Sequence, residues 1–205
     1  MTLRTWMSLL AFCTLTSGTT VANAQVEPPS ALVTRVSTDV LSAVNADPSI
    51  QAGDIDRIVA LVDTKVLPYL DFERMTATAV GPAWRDATPE QRQALQREFR
   101  TLLIRVYAGA LGQAKDRTIE VRPMADTPAG QEVVVRTDVR GRGDPVELDF
   151  RLQNAGTAWR IHDLNVGGVW LVENYRGSFA QALSSGGVDG LIAALAAKNK
   201  AMARS

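Results

Sequence analysis

Residues 118–166 read TIEVRPMADTPAGQEVVVRTDVRGRGDPVELDFRLQNAGTAWRIHDLNV. Within them Ile119 and Val121 alternate with Glu120 and Arg122. Val133, Val135 and Val139 alternate with Arg136, Asp138 and Arg140, and Val146, Leu148, Phe150 and Leu152 with Glu147, Asp149, Arg151 and Gln153. Successive strand side chains point to opposite faces, so this period of two predicts strands with one apolar and one charged face. A fourth strand, Trp159 to about Val166, follows Asn154-Ala155-Gly156, residues suited to a tight hairpin. Gly141-Arg142-Gly143 is read as another turn. Connections this short imply an antiparallel meander of four strands, its charged face in water and its apolar face covered by helices.

Outside this stretch the apolar period becomes helical. Glu27-Pro28-Pro29 is an extended lead-in to a stripe of Leu32, Val33, Val36, Val40, Leu41 and Val44, a helix to about Asn45 that stops before Pro48. Ile55, Ile58, Val59, Val62, Val66 and Leu67 form a second stripe with Asp54 as N-cap, ended or kinked by Pro68. Phe72 to Val80 reads as a short helix closed by Gly81-Pro82, with Trp84 in the turn that follows. Thr88-Pro89-Glu90-Gln91 combines a capping Thr, a first-turn Pro and a capping-box Gln, and starts the most clearly signalled helix. After Gly167-Gly168 the stripe Val172, Tyr175, Phe179 and Leu183 runs to a break at Gly186-Gly187, and a final helix starts at Asp189. Helices, then strands, then helices describe one α+β domain over residues 25–205, with the sheet covered on one face by the N- and C-terminal helices.

Residues 1–24 read as a secretory leader: Arg4, an apolar run from Trp6 to Leu15, then Ala22-Asn23-Ala24 as the cleavage signal. A lipoprotein signal ending at Cys13 is the competing reading, opposed by Phe12, since that processing needs a small residue there. Cleavage after Ala24 removes the only cysteine and leaves no disulfide or thiol chemistry. Of 22 basic residues only Arg4 lies in the leader, and none of the 22 acidic ones does, so the remainder carries one net negative charge. No bulk basic field for nucleic acid results, nor one for tight adhesion to anionic head groups.

Catalytic patterns are missing. His162 is the only imidazole, and strict alternation sets it beside Arg160, partly exposed and opposite Trp159 and Ile161. No metal-ligand spacing, nucleophile elbow or phosphate loop is present. Asp163 is the acid with a claim to chemistry, because the same alternation sets it on the face of Trp159 and Ile161. There it is either a general base in an apolar pocket or a paired structural acid, joined to Arg176 or capping the next helix. Arg85, Arg92, Arg97, Arg100 and Arg105 offer a basic surface for acidic docking proteins or a phosphate. The interleaved Asp86, Glu90 and Glu98 equally fit a solvated helix face.

Two segments carry a family resemblance. In DFERMTATAVGPAWRDATPEQRQALQREFRTLLIRVYAGAL (71–111) the matching residues are Gly81, Trp84, Ala87, Thr88, Gln91, Phe99, Leu103 and Tyr107. In WRIHDLNVGGVWLVENYRGSF and GGVDGLIAAL (159–179 and 186–195) they are Trp159 to Ile161, Asp163, Gly168, Val169, Leu171, Val172 and Asn174 to Arg176. The chain resembles the MlaC family of periplasmic phospholipid carriers, once called toluene-tolerance auxiliary proteins. It departs from the family at Trp170, where a small residue is more usual.

The resemblance implies a periplasmic shuttle that catalyses nothing and binds no cofactor other than its cargo. It would move phospholipid between an outer-membrane lipoprotein-porin complex and an inner-membrane ABC transporter complex of the Mla type, maintaining outer-membrane lipid asymmetry. The acyl chains would lie in an apolar cavity between sheet and helices. Strand alternation nominates Val133, Val135, Leu148, Phe150, Trp159 and Ile161 for its lining. Helical stripes nominate Phe72, Met75, Trp84, Phe99, Leu103 and Tyr107 before the sheet, and Val169, Val172, Tyr175 and Phe179 after it. Periodicity does not separate a packed core from a lined cavity. Two other readings stand beside this one: a small-molecule enzyme with Asp163 as base, and an adaptor that binds only proteins.

Overall fold

Local capping chemistry sets the helix starts in the computed structural model, which describes residues 26–124, 131–141 and 143–204. The leader reading, and Arg142 of the expected turn, lie outside these residues. Pro29 opens α1 (Pro29–Ala46), and Asp47 accepts the Ser49 amide to cap a short helix that periodicity missed, α2 (Pro48–Gln51). Asp54 caps α3 (Ile55–Lys65) by accepting the amides of Asp56 and Arg57. Pro68 sits in a single 3-10 turn, Leu67–Tyr69, and Asp71 then caps α4 (Phe72–Val80). The turn expected around Trp84 is the short helix α5 (Ala83–Asp86). Both halves of the capping box form at α6 (Pro89–Gly112): Gln91 N donates to Thr88 Oγ1 at 3.2 Å, and Thr88 N to Gln91 Oε1 at 3.0 Å.

The sheet is antiparallel as expected but has six strands where four were read: β1 (Thr118–Val121), β2 (Glu132–Val135), β3 (Thr137–Arg140), β4 (Val146–Asn154), β5 (Trp159–Val166) and β6 (Val169–Trp170). Alternation runs unbroken from Val133 to Val139, which conceals the division at Arg136. Pairing partners make the break, since β2 pairs with β4 alone whereas β3 pairs with both β1 and β4. The β4–β5 hairpin turns as expected, with Gly156 at φ 87° and its amide donating to Asn154 Oδ1 at 2.8 Å. Beyond Gly167-Gly168 the two-residue β6 folds back on β5.

Helix α7 (Leu171–Met202) completes the domain. It breaks at Gly187, whose φ of 61° and ψ of −158° suit only glycine. Its second half is clamped to α6 at two points: Gln91 Nε2 donates to Asp189 Oδ1 at 2.7 Å, and Asn199 Nδ2 to the Glu98 carbonyl at 2.9 Å. By length and composition α7 is apolar enough to cross a membrane. Its buried stripe of Leu171, Val172, Tyr175, Phe179, Leu191 and Leu195 instead packs into the domain.

Three apolar clusters result. The first joins α4, α6 and α7 through Met75, Leu95, Phe99, Leu102, Tyr175, Phe179 and Leu191. A second joins α1 to the apolar side of the sheet through Leu32, Val33, Val36, Val135, Phe150, Leu152 and Ile161. The third, between α1, α2, α3 and α6, holds Val44, Ile50, Ile58, Leu61 and Ile104. Each fully buried large side chain contributes about 1.5–3 kcal/mol of transfer free energy.

Candidate functional site

A one-residue irregularity in β5 rearranges the polar side of the sheet. Pairing with β4 runs in register from Leu148 opposite Val166 to Arg151 opposite Asp163, then resumes at Leu152 opposite Ile161. His162 is the extra residue of a β-bulge. Because side chains alternate, one inserted residue exchanges the faces of everything beyond it. Strict alternation placed Asp163 with Trp159 and Ile161. The bulge instead sets it across from Arg151, and brings Leu164 opposite Phe150 on the apolar side.

Asp163 is 3% exposed. Its Oδ1 accepts the amides of Leu164 at 2.9 Å and Val172 at 3.1 Å, and Arg151 Nη1 lies 3.4 Å from Oδ2. Burial pushes its carboxyl above the ordinary aspartate range, opposed by those two amides and the Arg151 charge. Every oxygen of this group is engaged, so Asp163 is a structural acid that caps α7. Its ion partner is Arg151 rather than Arg176, which is exposed.

His162 is only 7% exposed, contrary to the expectation of a partly solvated ring. The bulge turns it inward, where its Nε2 lies 3.1 Å from Glu132 Oε2. Arg74 Nη2 approaches the same oxygen at 3.1 Å, and Arg151 Nε lies 4.0 Å from Glu132 Oε1. Burial lowers the imidazole pKa, with the Arg74 and Arg151 charges acting the same way and Glu132 opposing. The Arg151 guanidinium also lies over the Trp170 ring, 4.2 Å from its centroid. With Asp149 and Asn165 also buried, this side of the sheet is drier than the expected water-facing surface.

The nominated apolar residues divide between two clusters. Phe72, Met75, Trp84, Phe99, Leu103, Val172, Tyr175 and Phe179 belong to the α4–α6–α7 cluster. Phe99 is its centre, with ring centroids 5.1 Å from Tyr175 and from Phe179 in edge-to-face contacts. Val133, Val135, Leu148, Phe150, Trp159 and Ile161 belong to the α1–sheet cluster. Tyr107 is half-buried, its hydroxyl pKa raised by burial, and Val169 is 48% exposed. Two residues that were not nominated, Leu70 and Leu164, pack against both clusters and mark their seam. A backbone bridge holds that seam: Leu70 pairs with Ile161, and Asp71 N donates to Ile161 O at 2.7 Å. The signal for Leu164 lay in the sequence, since strict alternation left a leucine on the charged face.

Hollows at the surface lie away from this seam. One of about 100 Å³ is lined by Ile55, Val59, Ile104 and the two arginines Arg100 and Arg105. Another of about 300 Å³ is lined by Gln113, Lys115, Asp116 and Arg117. Of the α6-region arginines, Arg100 pairs with Asp63, and Arg92 donates to the Trp84 and Arg85 carbonyls at 3.1 Å each, so both serve internal packing. Among the described residues no three His, Cys, Asp or Glu side chains converge on a metal-sized site.

Comparison with known proteins places this geometry. The family model described as MlaC protein matches residues 34–197. Toluene tolerance protein ttg2D of Pseudomonas putida is 25% identical over 165 residues, covering 80% of this chain and 76% of that protein. The intermembrane phospholipid transport system binding protein MlaC of Haemophilus influenzae is 24% identical over 195 residues, covering 93% of this chain and 91% of that protein. Among solved structures, a phospholipid-binding protein from Ralstonia solanacearum in complex with a phospholipid superposes with a TM-score of 0.83 at 39% identity, covering 86% of this chain and 99% of that one. With the family model matching residues 34–197 and the solved relative covering 86% of its length, the chain belongs to the MlaC protein family.

Proposed function

We propose that this chain binds a phospholipid and carries it through the periplasm without chemically altering it, its acyl chains held between the α4–α6–α7 cluster and the α1–sheet cluster. The observation that carries this reading is the likeness to the Ralstonia protein, whose solved structure is a complex with a phospholipid. Supporting it is the arrangement of apolar residues into two clusters that meet at Leu70 and Leu164, the line along which acyl chains would enter.

The physical need for such a carrier follows from hydrocarbon hydration. A diacyl lipid has about 30 methylenes, and exposing them at ~0.8 kcal/mol each costs on the order of 24 kcal/mol. The carrier need only match the bilayer, which shelters the same chains. Apolar walls of Val, Leu, Ile and Phe do this for chains of varied length. Near-neutral charge helps the loaded protein leave anionic membranes.

In this reading residues 1–24 direct secretion, and residues 25–205 act as one domain. The docking partners are the inner-membrane ABC transporter complex of the Mla type and the outer-membrane lipoprotein-porin complex, and the result is outer-membrane lipid asymmetry. The enzyme alternative loses its base, because the Asp163 carboxylate is consumed by Arg151 and two backbone amides.

The test is chloroform-methanol extraction of protein purified without detergent, followed by mass spectrometry. Stoichiometric phospholipid is expected. Protein that is lipid-free and takes up none from vesicles contradicts the carrier and favours a protein-only adaptor.

A further inference from the structure

Glu132 is a carboxylate with an excess of positive neighbours. Its side chain is 47% exposed, yet Arg74 Nη2 and His162 Nε2 both lie 3.1 Å from Oε2, and Arg151 Nε lies 4.0 Å from Oε1. The fit is imperfect. His162 Nε2 is buried and, despite its approach to Glu132, makes no aligned hydrogen bond. Arg151 is oriented from behind by Asp163 and by the Trp170 ring, so its guanidinium is held in place whatever occupies the Glu132 position.

These groups lie on elements of both clusters, on the polar side of the sheet. Arg74 lies on α4 between Phe72 and Met75, which belong to the first cluster. Arg151 lies on β4 between Phe150 and Leu152, and Glu132 next to Val133, all of the second. His162 and Asp163 fall between Ile161 and Leu164. The Arg74–Glu132 pair thus joins α4, a helix of the first cluster, to β2, a strand of the second, from the polar side of the sheet.

Resting on the phospholipid reading above, we propose that Arg74, Arg151 and His162 form an anion cradle for the lipid phosphodiester, and that Glu132 is an internal stand-in which the head group displaces. Charge supports the exchange. Asp163 balances Arg151 and Glu132 balances Arg74, so the cluster is neutral when closed. With Glu132 withdrawn it carries one net positive charge, matching the single negative charge of a phosphodiester. Planar guanidinium forks suit phosphate oxygens as well as they suit a carboxylate.

The experiment compares two probes with identical acyl chains, phosphatidylglycerol and the corresponding diacylglycerol, titrated into delipidated protein. Arg74→Gln is expected to weaken phosphatidylglycerol about tenfold and leave diacylglycerol within about twofold, since charge-assisted hydrogen bonds are the stronger class. Glu132→Gln, conservative at a half-exposed position, is expected to tighten phosphatidylglycerol several-fold, and carries the test alone should the arginine variant fail to fold. Both variants leaving phosphatidylglycerol within about twofold, or shifting both probes equally, overturns the cradle. Wild-type protein that binds both probes equally overturns the cradle but not the carrier, whereas protein that binds neither overturns both. Inorganic phosphate separates the remaining source: binding at least roughly a hundredfold weaker than phosphatidylglycerol is expected because the chains supply most of the affinity, and comparable binding overturns the assignment to lipid.

Discussion

The Asp163 carboxylate accepts the backbone amide of Val172 at 3.1 Å, so a residue inside β5 caps the first turn of α7 from across the β6 hairpin. The same oxygen accepts the Leu164 amide, and Arg151 lies beside the other. One buried side chain thus fixes the bulge, the neighbouring strand and the helix start together.

Replacing that side chain tests its structural role. Asp163→Ala leaves two amides and a partly buried guanidinium without their acceptor, and is expected to lower stability by about 2–4 kcal/mol in urea unfolding. Asp163→Asn keeps an acceptor for the amides and should cost less. A stability change under about 0.5 kcal/mol for the alanine variant would show that the cap is dispensable.

His162 makes stability depend on pH with a definite sign. Its folded-state pKa is lowered by burial, so below about pH 6.5 the unfolded chain binds a proton that the native chain resists. Stability should therefore fall as pH drops from about 7.5 to 5.5, by at most ~1.4 kcal/mol per pH unit. As the sole histidine, His162 accounts for the imidazole contribution alone, and His162→Gln should flatten the profile in this window. Chemical denaturation across the range is the check, and a slope of the opposite sign refutes the burial argument.

Seam and core substitutions should separate. Leu164→Gln places an amide where two apolar clusters meet, and is expected to reduce co-purified lipid at least about fivefold with a stability loss within ~2 kcal/mol. Leu61→Ala, in the third cluster, should cost about 2–4 kcal/mol and leave lipid content unchanged. Lipid mass spectrometry paired with thermal melts distinguishes them.

The capping box gives a local control. Thr88→Ala removes the acceptor for the Gln91 amide and should cost about 1 kcal/mol without altering lipid content. Lipid loss in this variant would mean that Gln91, through its bond to Asp189, transmits strain from the α6 start to α7.

Features set by neighbouring residues were legible before the fold was known. The Asp54 cap, the Thr88 capping box, the Phe72–Val80 helix and the break near Gly187 each depend on a few adjacent side chains. Features set by pairing were not. Nothing in the run from Val133 to Val139 says that its halves meet different partners, and the bulge at His162 is a property of two strands rather than one. The bulge moved Asp163 and Leu164 to opposite sides from those expected, which hid the Arg151 partner and a seam residue, whereas capping of the next helix was among the roles open to Asp163 from the sequence. Helical stripes and strand alternation found apolar residues of the core, with Val169 exposed and Tyr107 half-buried as exceptions, yet could not show that Phe99 and Phe150 belong to separate clusters.

The central claim, that acyl chains occupy the seam marked by Leu70 and Leu164, is tested most directly by loading the protein with a phospholipid carrying a photoreactive diazirine near the end of one chain. Irradiation, proteolysis and mass spectrometry then locate the adducts. The account predicts adducts on peptides from β4, β5, α4 and the first half of α7. Adducts confined to the α1–α2–α3 cluster around Val44, Ile58 and Leu61, or to the outer surface, would contradict it.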